Sequence, residues 1–475
     1  MDTISGMGRG IHILFQTVAA EIRKDTPDMG EPGSEVAPFI PEPRNFSEVC
    51  RLPAEVRKPW LRATLKEIKN LIDNSTFALE DPDPEDAVTP CMDIYKAKIQ
   101  SDGTIDKLKL RIVVRGDLYN NDVMGETCSP TSSLGTVKFF LADAIIQKAR
   151  VKQLDLIGAF LQAKVKSRVF VKLDAKYADF FPQYRQYFGR PLRLVRSMYG
   201  MMISGKLFAD ELTDWLVTDA IFSQSECQGS IYYKILPDGS RLVVLSYVDD
   251  CIYYYTSEDL GRWFVDALGK RFNVTFLGHA HWFMSIRITQ NADFSVSADQ
   301  SRYCLAIVNK YLSHATVRAS EKRHDRFLPC DMIFTKDDAL TNDVQVEDLM
   351  QKYNIHYRAC IGALIYLTST RIDISFPVSK LAKFSANPGD RHFTALVHLL
   401  RYLRDNTYLG LKYYSNPSDA PISDLLRNAE INTSYPVIGF SDSSWQDDPD
   451  TGRSTGCYII FYQGGPVDHS THVPT

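Results

Sequence analysis

The stretch Leu242-Val243-Val244-Leu245-Ser246-Tyr247-Val248-Asp249-Asp250-Cys251-Ile252-Tyr253-Tyr254-Tyr255 sets two adjacent carboxylates between two apolar runs. Both runs are rich in β-branched and aromatic residues, so each reads as a strand, and Asp249 and Asp250 fall at or beside a tight hairpin turn. Two like charges beside a buried sheet are costly unless something positive neutralises them, and a hard divalent cation held by oxygen ligands does that best. Asp is also a common turn residue that bonds its own backbone, so these residues alone equally suit an Asp-rich turn. Cys251, next to the pair, reads as strand filler rather than as a catalyst.

A second acidic motif tilts the balance. In Gln153-Leu154-Asp155-Leu156-Ile157-Gly158-Ala159-Phe160-Leu161-Gln162 a lone Asp155 sits in an apolar setting that reads as strand, then helix. An unpaired Asp155 buried there would be destabilising. One carboxylate from one strand and a pair from a distant hairpin converge only through the fold. Two-metal phosphoryl transfer needs that arrangement, because cations about 3.5–4 Å apart share carboxylate ligands while clamping the attacking and leaving oxygens.

Composition bounds the reading without deciding it. The 475 residues are 44% hydrophobic and 24% charged, the make-up of an ordinary globular chain long enough for two to four domains. No run of about 18 apolar residues occurs, so no membrane span is expected, and the residues around Ile11 to Phe15 lack the uninterrupted apolar core of a secretory signal. The nine cysteines are scattered without close pairs, which argues against zinc knuckles and for reduced thiols. A net charge of -4 excludes a simple DNA-coating protein, yet a polymerase needs only a local positive groove. Lys96, Lys98, Lys107, Lys109, Arg111 and Arg115 face only Asp102 and Asp106 over the stretch 96–115. The alternating Lys109 and Arg111 share one strand face, a spacing that suits a triphosphate clamp and equally a solvated strand pair.

Taken in order, these motifs resemble the palm of reverse transcriptases, specifically those of copia-type long-terminal-repeat retrotransposons. The resemblance spreads well beyond Asp155 and the Tyr-x-Asp-Asp box. Trp60-Leu61-Arg62-Ala63 with Glu67 and Asn74-Ser75-Thr76-Phe77 is similar to that family's opening helix and strand. Lys109 to Gly116 resembles its basic fingers strand, and Glu126-Thr127-Cys128-Ser129-Pro130 the loop after it. Met198-Tyr199-Gly200, Phe272-Asn273-Val274 with Leu277-Gly278, Gln300-Ser301-Arg302-Tyr303, and Ile361 to Tyr366 with Thr370-Arg371-Ile372-Asp373-Ile374 follow in the family's order. Some positions depart from its pattern: Ile203 stands where the family has a Gln that helps hold template and nucleotide, and Ile372 where it has Pro.

The resemblance implies an α+β fold of right-hand polymerase architecture, with fingers, palm and thumb, a connection region and a partial ribonuclease H-like fold. The expected organisation is a flexible leader over 1–44, fingers and palm over 45–256, a helical thumb over 257–316, a connection region over 317–434, and a truncated ribonuclease H-like start over 435–475. His314 to Asp348 reads as loop or linker. In that last unit Asp442 would match the family's first ribonuclease H ligand. Because the sequence stops at Thr475, Asp442 is expected to be vestigial, and the run Tyr458 to Tyr462 to present an uncovered apolar edge. On this reading the chain is a fragment or truncated copy of a polyprotein.

The implied function is RNA-directed DNA polymerisation by two-metal nucleotidyl transfer from dNTP to a primer 3′-hydroxyl. Asp155, Asp249 and Asp250 would be the catalytic, metal-binding carboxylates for two Mg²⁺ ions, with Mn²⁺ as substitute. Lys109, Arg111 and Phe160 would bind the dNTP, Phe160 as the aromatic that crowds the sugar 2′ position; plain palm core is the other reading of that ring. Trp60, Phe208, Trp263 and Trp282 are candidates for stacking on template or primer, most of them expected in the core. Implied partners are an RNA or DNA template with primer, dNTPs, and a second copy or other polyprotein products, with no membrane. The implied setting is a cytoplasmic virus-like particle or the nucleus, without secretion. Nucleotidyl cyclases share a palm with paired carboxylates, but they carry a Gly-Gly-Asp-type turn and have no use for the basic strand before Asp155. The remaining alternative is an inert or domesticated polyprotein remnant that only binds nucleic acid or a partner.

Overall fold

The computed structural model describes residues 42–99, 105–118, 129–312, 324–328, 333–423 and 437–472. Nearly all of the expected leader, the segment Glu126-Thr127-Cys128 and much of the expected linker after His314 lie outside the described residues.

The chain opens with helices α1 (Phe46–Arg51) and α2 (Ala54–Asp73). Asn45 caps α1 by accepting the Glu48 N–H at 3.0 Å, the usual role of Asn before a first helical turn. Along α2, Trp60, Thr64, Glu67, Ile68 and Leu71 recur at helical spacing and bury one face. That face lies on a long hairpin, β2 (Val88–Ile99) and β3 (Ile105–Val114), where the Trp60 ring meets the Tyr95 ring edge-on at 5.4 Å and Thr64 Oγ1 bonds the Tyr95 hydroxyl at 3.1 Å. The hairpin belongs to a five-stranded sheet ordered β1-β6-β5-β2-β3, with β1 (Phe77–Ala78), β5 (Phe170–Lys172) and β6 (Pro191–Leu194). Only β2 and β5 run parallel in it.

A six-stranded antiparallel sheet follows, ordered β11-β4-β10-β9-β8-β7. Its strands are β4 (Lys152–Leu156), β7 (Ser223–Gln224), β8 (Ile231–Ile235), β9 (Arg241–Tyr247), β10 (Asp250–Tyr255) and β11 (Val274–His279). Helix α3 (Leu134–Ile146) packs with Leu245, Ile252 and Tyr254 on one face. Helices α6 (Ser204–Asp214) and α7 (Glu258–Arg271) pack with Val244, Cys251 and Tyr253 on the other; the short helices α4 (Ala159–Gln162) and α5 (Tyr177–Phe180) precede them in the chain. Alternate residues of β9 and β10 therefore enter different cores. Burial on both faces is why these strands read as unbroken apolar runs rather than alternating ones.

Of the region expected to be a helical thumb, 257–316, the described part, 257–312, is mixed. Its first helix, α7, backs the central sheet and leads into β11, which pairs with β4. It then supplies three strands of a third sheet, β12 (Trp282–Phe283), β13 (Ile286–Gln290) and β14 (Val296–Asp299), completed by the distant β15 (Leu411–Tyr413). Its last helix, α8 (Ser301–Leu312), joins α9 (Asp343–Tyr353), α10 (Tyr357–Leu367), α11 (Ser375–Ala382) and α12 (Asp390–Asp405) in a helical layer with its own apolar core. Trp263, stacked on Phe222, and Phe272 pack on the core of the central sheet, whereas Trp282 lies in the third sheet under Arg302. The expected loop from His314 to Asp348 contains the start of α9, whose N-cap is Asn342.

The last described segment forms a three-stranded sheet, β16 (Val437–Ser443), β17 (Gly456–Tyr462) and β18 (Gly465–His472). The expectation of an uncovered edge at Tyr458 to Tyr462 is overturned. Strand β17 lies between β16 and β18, and Ile459, Phe461 and Val467 are buried in the same core as α3 and the central sheet. The Phe139 ring of α3 stacks on Tyr462 at 4.7 Å, and Lys380 of α11 and Lys383 at its C-terminal cap pair with Asp447 and Asp448. Among the described residues no helix is long and apolar enough to cross a membrane.

Candidate active site

The two acidic motifs come together at one end of the central sheet. Asp250 opens β10 and faces Asp155 of β4 directly in the register. Asp249 occupies the two-residue loop between β9 and β10, which the pair Asp250 and Tyr247 closes. The loop is fixed to β4, because the Leu156 N–H donates to the Asp249 carbonyl at 2.8 Å. Val248, the other loop residue, has φ of 57°, the left-handed region where a β-branched residue is strained. Such strain persists only where surrounding contacts over-determine the backbone, and it concentrates at functional sites.

Cross-strand partners point to the same face, and like charges directly opposite repel. Burial, then the charges of Asp249 and Asp155, push the Asp250 carboxyl up to about 6. The donor set is oxygen only and brings like charges together, which fits a hard divalent cation. Asp155 and Asp249, with Asp250 beside them, are the residues that would hold it. Among the described residues no three such ligands stand close enough to form a ready-made cluster, so the fit rests on charge and adjacency. Burial, followed by Asp250 and Asp249, raises the Cys251 thiol far above its usual range, as suits a strand-filling side chain.

The strand bearing Asp155 turns sharply after Leu156. Gly158 takes φ of 60° and starts the one-turn helix α4, which carries Phe160. Gln162 secures that turn: its amide nitrogen donates to the Ile157 and Asn273 carbonyls at 3.0 and 3.2 Å, and its oxygen accepts the Asn273 N–H at 2.9 Å. The Phe160 ring, half-buried, meets the Tyr199 ring edge-on at 5.2 Å.

Tyr199 ties this group to the first sheet. The Val114 N–H at the end of β3 donates to the Tyr199 carbonyl at 2.8 Å. Two glycines make that approach feasible: a Cβ on Gly200, where φ is 90°, would lie 2.2 Å from the Val114 oxygen, and one on Gly116 would lie 2.1 Å from the Gly200 oxygen. The Arg111 guanidinium consequently sits 5.5 Å from the Tyr199 ring centroid. Lys109 occupies the same face of β3 one alternation earlier. Behind them, Glu67 of α2 is only 8% exposed. Burial pushes its carboxyl up to about 6 against the pull of Lys109, the Ile112 N–H and Arg111. Burial also raises the Tyr199 hydroxyl, Glu67 and Asp249 add to the effect, and Arg111 opposes it. The field of the acidic hairpin and that of the basic strand thus meet at one tyrosine.

Asp155, Asp249, Asp250, Phe160 and Arg111 are brought together, with Lys109 beside Arg111. Asp442 is not: it lies on β16 in a different sheet, where its carboxylate accepts the Ser443 N–H at 2.9 Å. Trp60 and Phe208 are buried core, Trp263 lies under Lys234 and Trp282 under Arg302. Tyr199 and Glu67 were visible in the sequence only as parts of longer motifs. The signal available for Tyr199 was the glycine after it, whose left-handed turn brings β3 close.

Comparison with known proteins gives a consistent picture. The family described as reverse transcriptase (RNA-dependent DNA polymerase) matches residues 74–317. A retrovirus-related Pol polyprotein from transposon RE2 of Arabidopsis thaliana is 27% identical over 421 residues, 87% of this chain and 26% of that one. The corresponding polyprotein from transposon TNT 1-94 of Nicotiana tabacum is 22% identical over 429 residues, 90% of this chain and 30% of that one. The chain thus spans about a quarter of the length of the transposon polyproteins it matches. A foamy viral protease-reverse transcriptase solved in complex with double-stranded DNA aligns over 87% of this chain and 56% of that one, with 13% identity and a TM-score of 0.45.

Proposed function

The chain belongs to the reverse transcriptase (RNA-dependent DNA polymerase) family, and from that premise we propose that it extends a primer on an RNA template, adding deoxynucleotides at the end of the central sheet. Its similarity to transposon Pol polyproteins agrees with the copia-type resemblance of its motifs. The central sheet is the palm, the first sheet with α1 and α2 the fingers, and the helical layer α8 to α12 the thumb. Asp442 takes no part.

In the reaction the primer 3′-oxygen attacks the α-phosphorus of a dNTP, the bond to the β-phosphate oxygen breaks, and pyrophosphate leaves. Two divalent cations, when bound, supply the charge that acidifies the 3′-hydroxyl and neutralises the leaving group. Asp155 and Asp249 would hold those cations, and Asp250 would support them from β10. Lys109 and Arg111 grip the triphosphate, where a planar guanidinium and an ammonium pair well with phosphate oxygens. Phe160 walls the sugar at its 2′ position.

What supports this reading is the register that sets Asp250 opposite Asp155 with Asp249 at the hairpin tip. The test is extension of oligo(dT) on poly(rA) with dTTP and Mg²⁺ or Mn²⁺. Asp249→Asn removes a charge at constant volume and is expected to lower extension about a thousandfold or more while leaving the fold intact, at ~1.4 kcal/mol per tenfold. Extension by the folded variant at the unmutated rate would overturn the assignment. Absence of extension by the unmutated chain under either metal would select the inert remnant instead.

A further inference from the structure

Glu67 is a buried acid that the nucleotidyl-transfer scheme leaves unused. It lies on the face of α2 that packs against β3, among Trp60, Thr64, Ile68 and Leu71. Its oxygen Oε1 is buried without a hydrogen-bond partner. A carboxylate so placed is expensive to keep unless a neighbouring cation depends on it. The cations beside it are Lys109 and Arg111, both of which pull its titration downward against burial. They stand two residues apart on one strand face, roughly 7 Å along the chain, a separation at which like charges in a partly dry site repel. Without a counter-charge they would splay toward water.

A second chain of contacts runs onward from Arg111. Its guanidinium faces the Tyr199 ring at 5.5 Å, and the Tyr199 ring meets Phe160 at 5.2 Å. The backbone of Tyr199 is itself bonded to Val114 of the strand that carries Arg111. The position of Arg111 therefore bears on the wall that crowds the sugar.

We infer that Glu67 is a positioning residue for the incoming nucleotide: its buried carboxylate holds Lys109 and Arg111 as a preorganised triphosphate clamp and, through Arg111 and Tyr199, fixes Phe160 against the sugar. Glu67 touches neither the metal site nor the substrate, so its removal acts on nucleotide binding and sugar choice before it acts on chemistry. The inference rests on the polymerase reading above.

The experiment is single-nucleotide incorporation on oligo(dT)·poly(rA) by the full chain, comparing the unmutated protein, Glu67→Gln, Arg111→Lys and the double variant, with a thermal melt of each. Glu67→Gln keeps the volume and loses the charge. It is expected to raise the KM for dTTP about tenfold, the worth of one charge-assisted contact, with kcat within about twofold. Incorporation of UTP relative to dTTP should rise in the same variant. Arg111→Lys should raise KM as well, and the double variant should show less than the product of the two effects, because the residues act through one shared charge interaction. A merely structural Glu67 would lower the melting temperature and leave KM and sugar preference unmoved; that result, or multiplicative effects in the double variant, overturns the inference while the unmutated protein still extends primers. Failure of the unmutated protein to extend overturns the polymerase reading and this inference with it.

Discussion

Phe160 and Arg371 show how residues from two distant motifs divide their work. Phe160 is half-buried beside Tyr199 at the carboxylate site, so truncating it opens room without collapsing the core. Phe160→Ala is expected to admit ribonucleotides, with the dNTP over NTP preference falling roughly tenfold or more. Competition of UTP with dTTP in the extension reaction measures it, and an unchanged preference in a variant that still polymerises returns the ring to the core. Arg371 is 1% exposed and holds Asp373 with two parallel bonds of 2.9 and 2.7 Å, while its third arm reaches the Asn406 carbonyl at 2.8 Å and Tyr402 donates to Asp373 at 2.7 Å. This motif locks α12 to the start of α11 and has no part in the chemistry. Asp373→Asn leaves a buried guanidinium without its counter-charge, a loss of about 3–5 kcal/mol. Denaturant unfolding reads it directly. A variant as stable as the unmutated protein would refute the lock.

At the scale of elements, the N-terminus of α12 carries a testable pH dependence. His392 stacks on Phe384 with ring centroids 3.9 Å apart, and its Nδ1 accepts the Gly389 N–H at 2.9 Å. Burial lowers its titration to about 4, against the pull of Asp338. Between about pH 4 and its ordinary 6.5 the unfolded chain therefore binds the proton and the native chain does not, so His392 contributes stability that is whole above 6.5 and lost as pH falls toward 4. His469 on β18, also pushed down to about 4 by burial, acts in the same sense. Glu67 and Asp250, raised to about 6, act in the opposite sense, their native forms favoured at low pH. The melting temperature of the whole protein blends these terms. The difference between it and His392→Gln isolates one of them, and that difference should widen as pH rises from 4 to 6.5. A gap that stays constant would mean that His392 is protonated in the native helix.

At the scale of the molecule, the C-terminal sheet and the central sheet share one core. Phe461 is 2% exposed and lies in the same cluster as Phe140 and Leu141 of α3 and Leu245 of β9. Phe461→Ala is expected to cost about 3–5 kcal/mol, as large-to-small changes in a packed core do. The loss should appear in the unfolding of the central sheet and in the thermal inactivation of primer extension together. If the C-terminal sheet instead unfolds in a separate transition while extension keeps its thermal midpoint, the shared core does not couple them.

The sequence alone determined the β9–β10 hairpin, the strand bearing Asp155 and the three candidate carboxylates, because turn chemistry, apolar runs and adjacent charges are local signals; the mixed helix-and-sheet class was implied by the resemblance those motifs carry. Only the tertiary structure decided that β4 inserts between β10 and β11, which puts Asp155 opposite Asp250, for strand order is a choice among distant partners of similar composition. It likewise decided that segment 257–312 divides between the central sheet, a third sheet and a helical layer, since Val274 to His279 and Ile286 to Gln290 read alike until their partners are known. The joining of Glu67, Arg111, Tyr199 and Phe160 was hidden for the same reason. Those four side chains come from four separate elements, and what brings them together is a close backbone approach at Gly116 and Gly200 that no periodicity records.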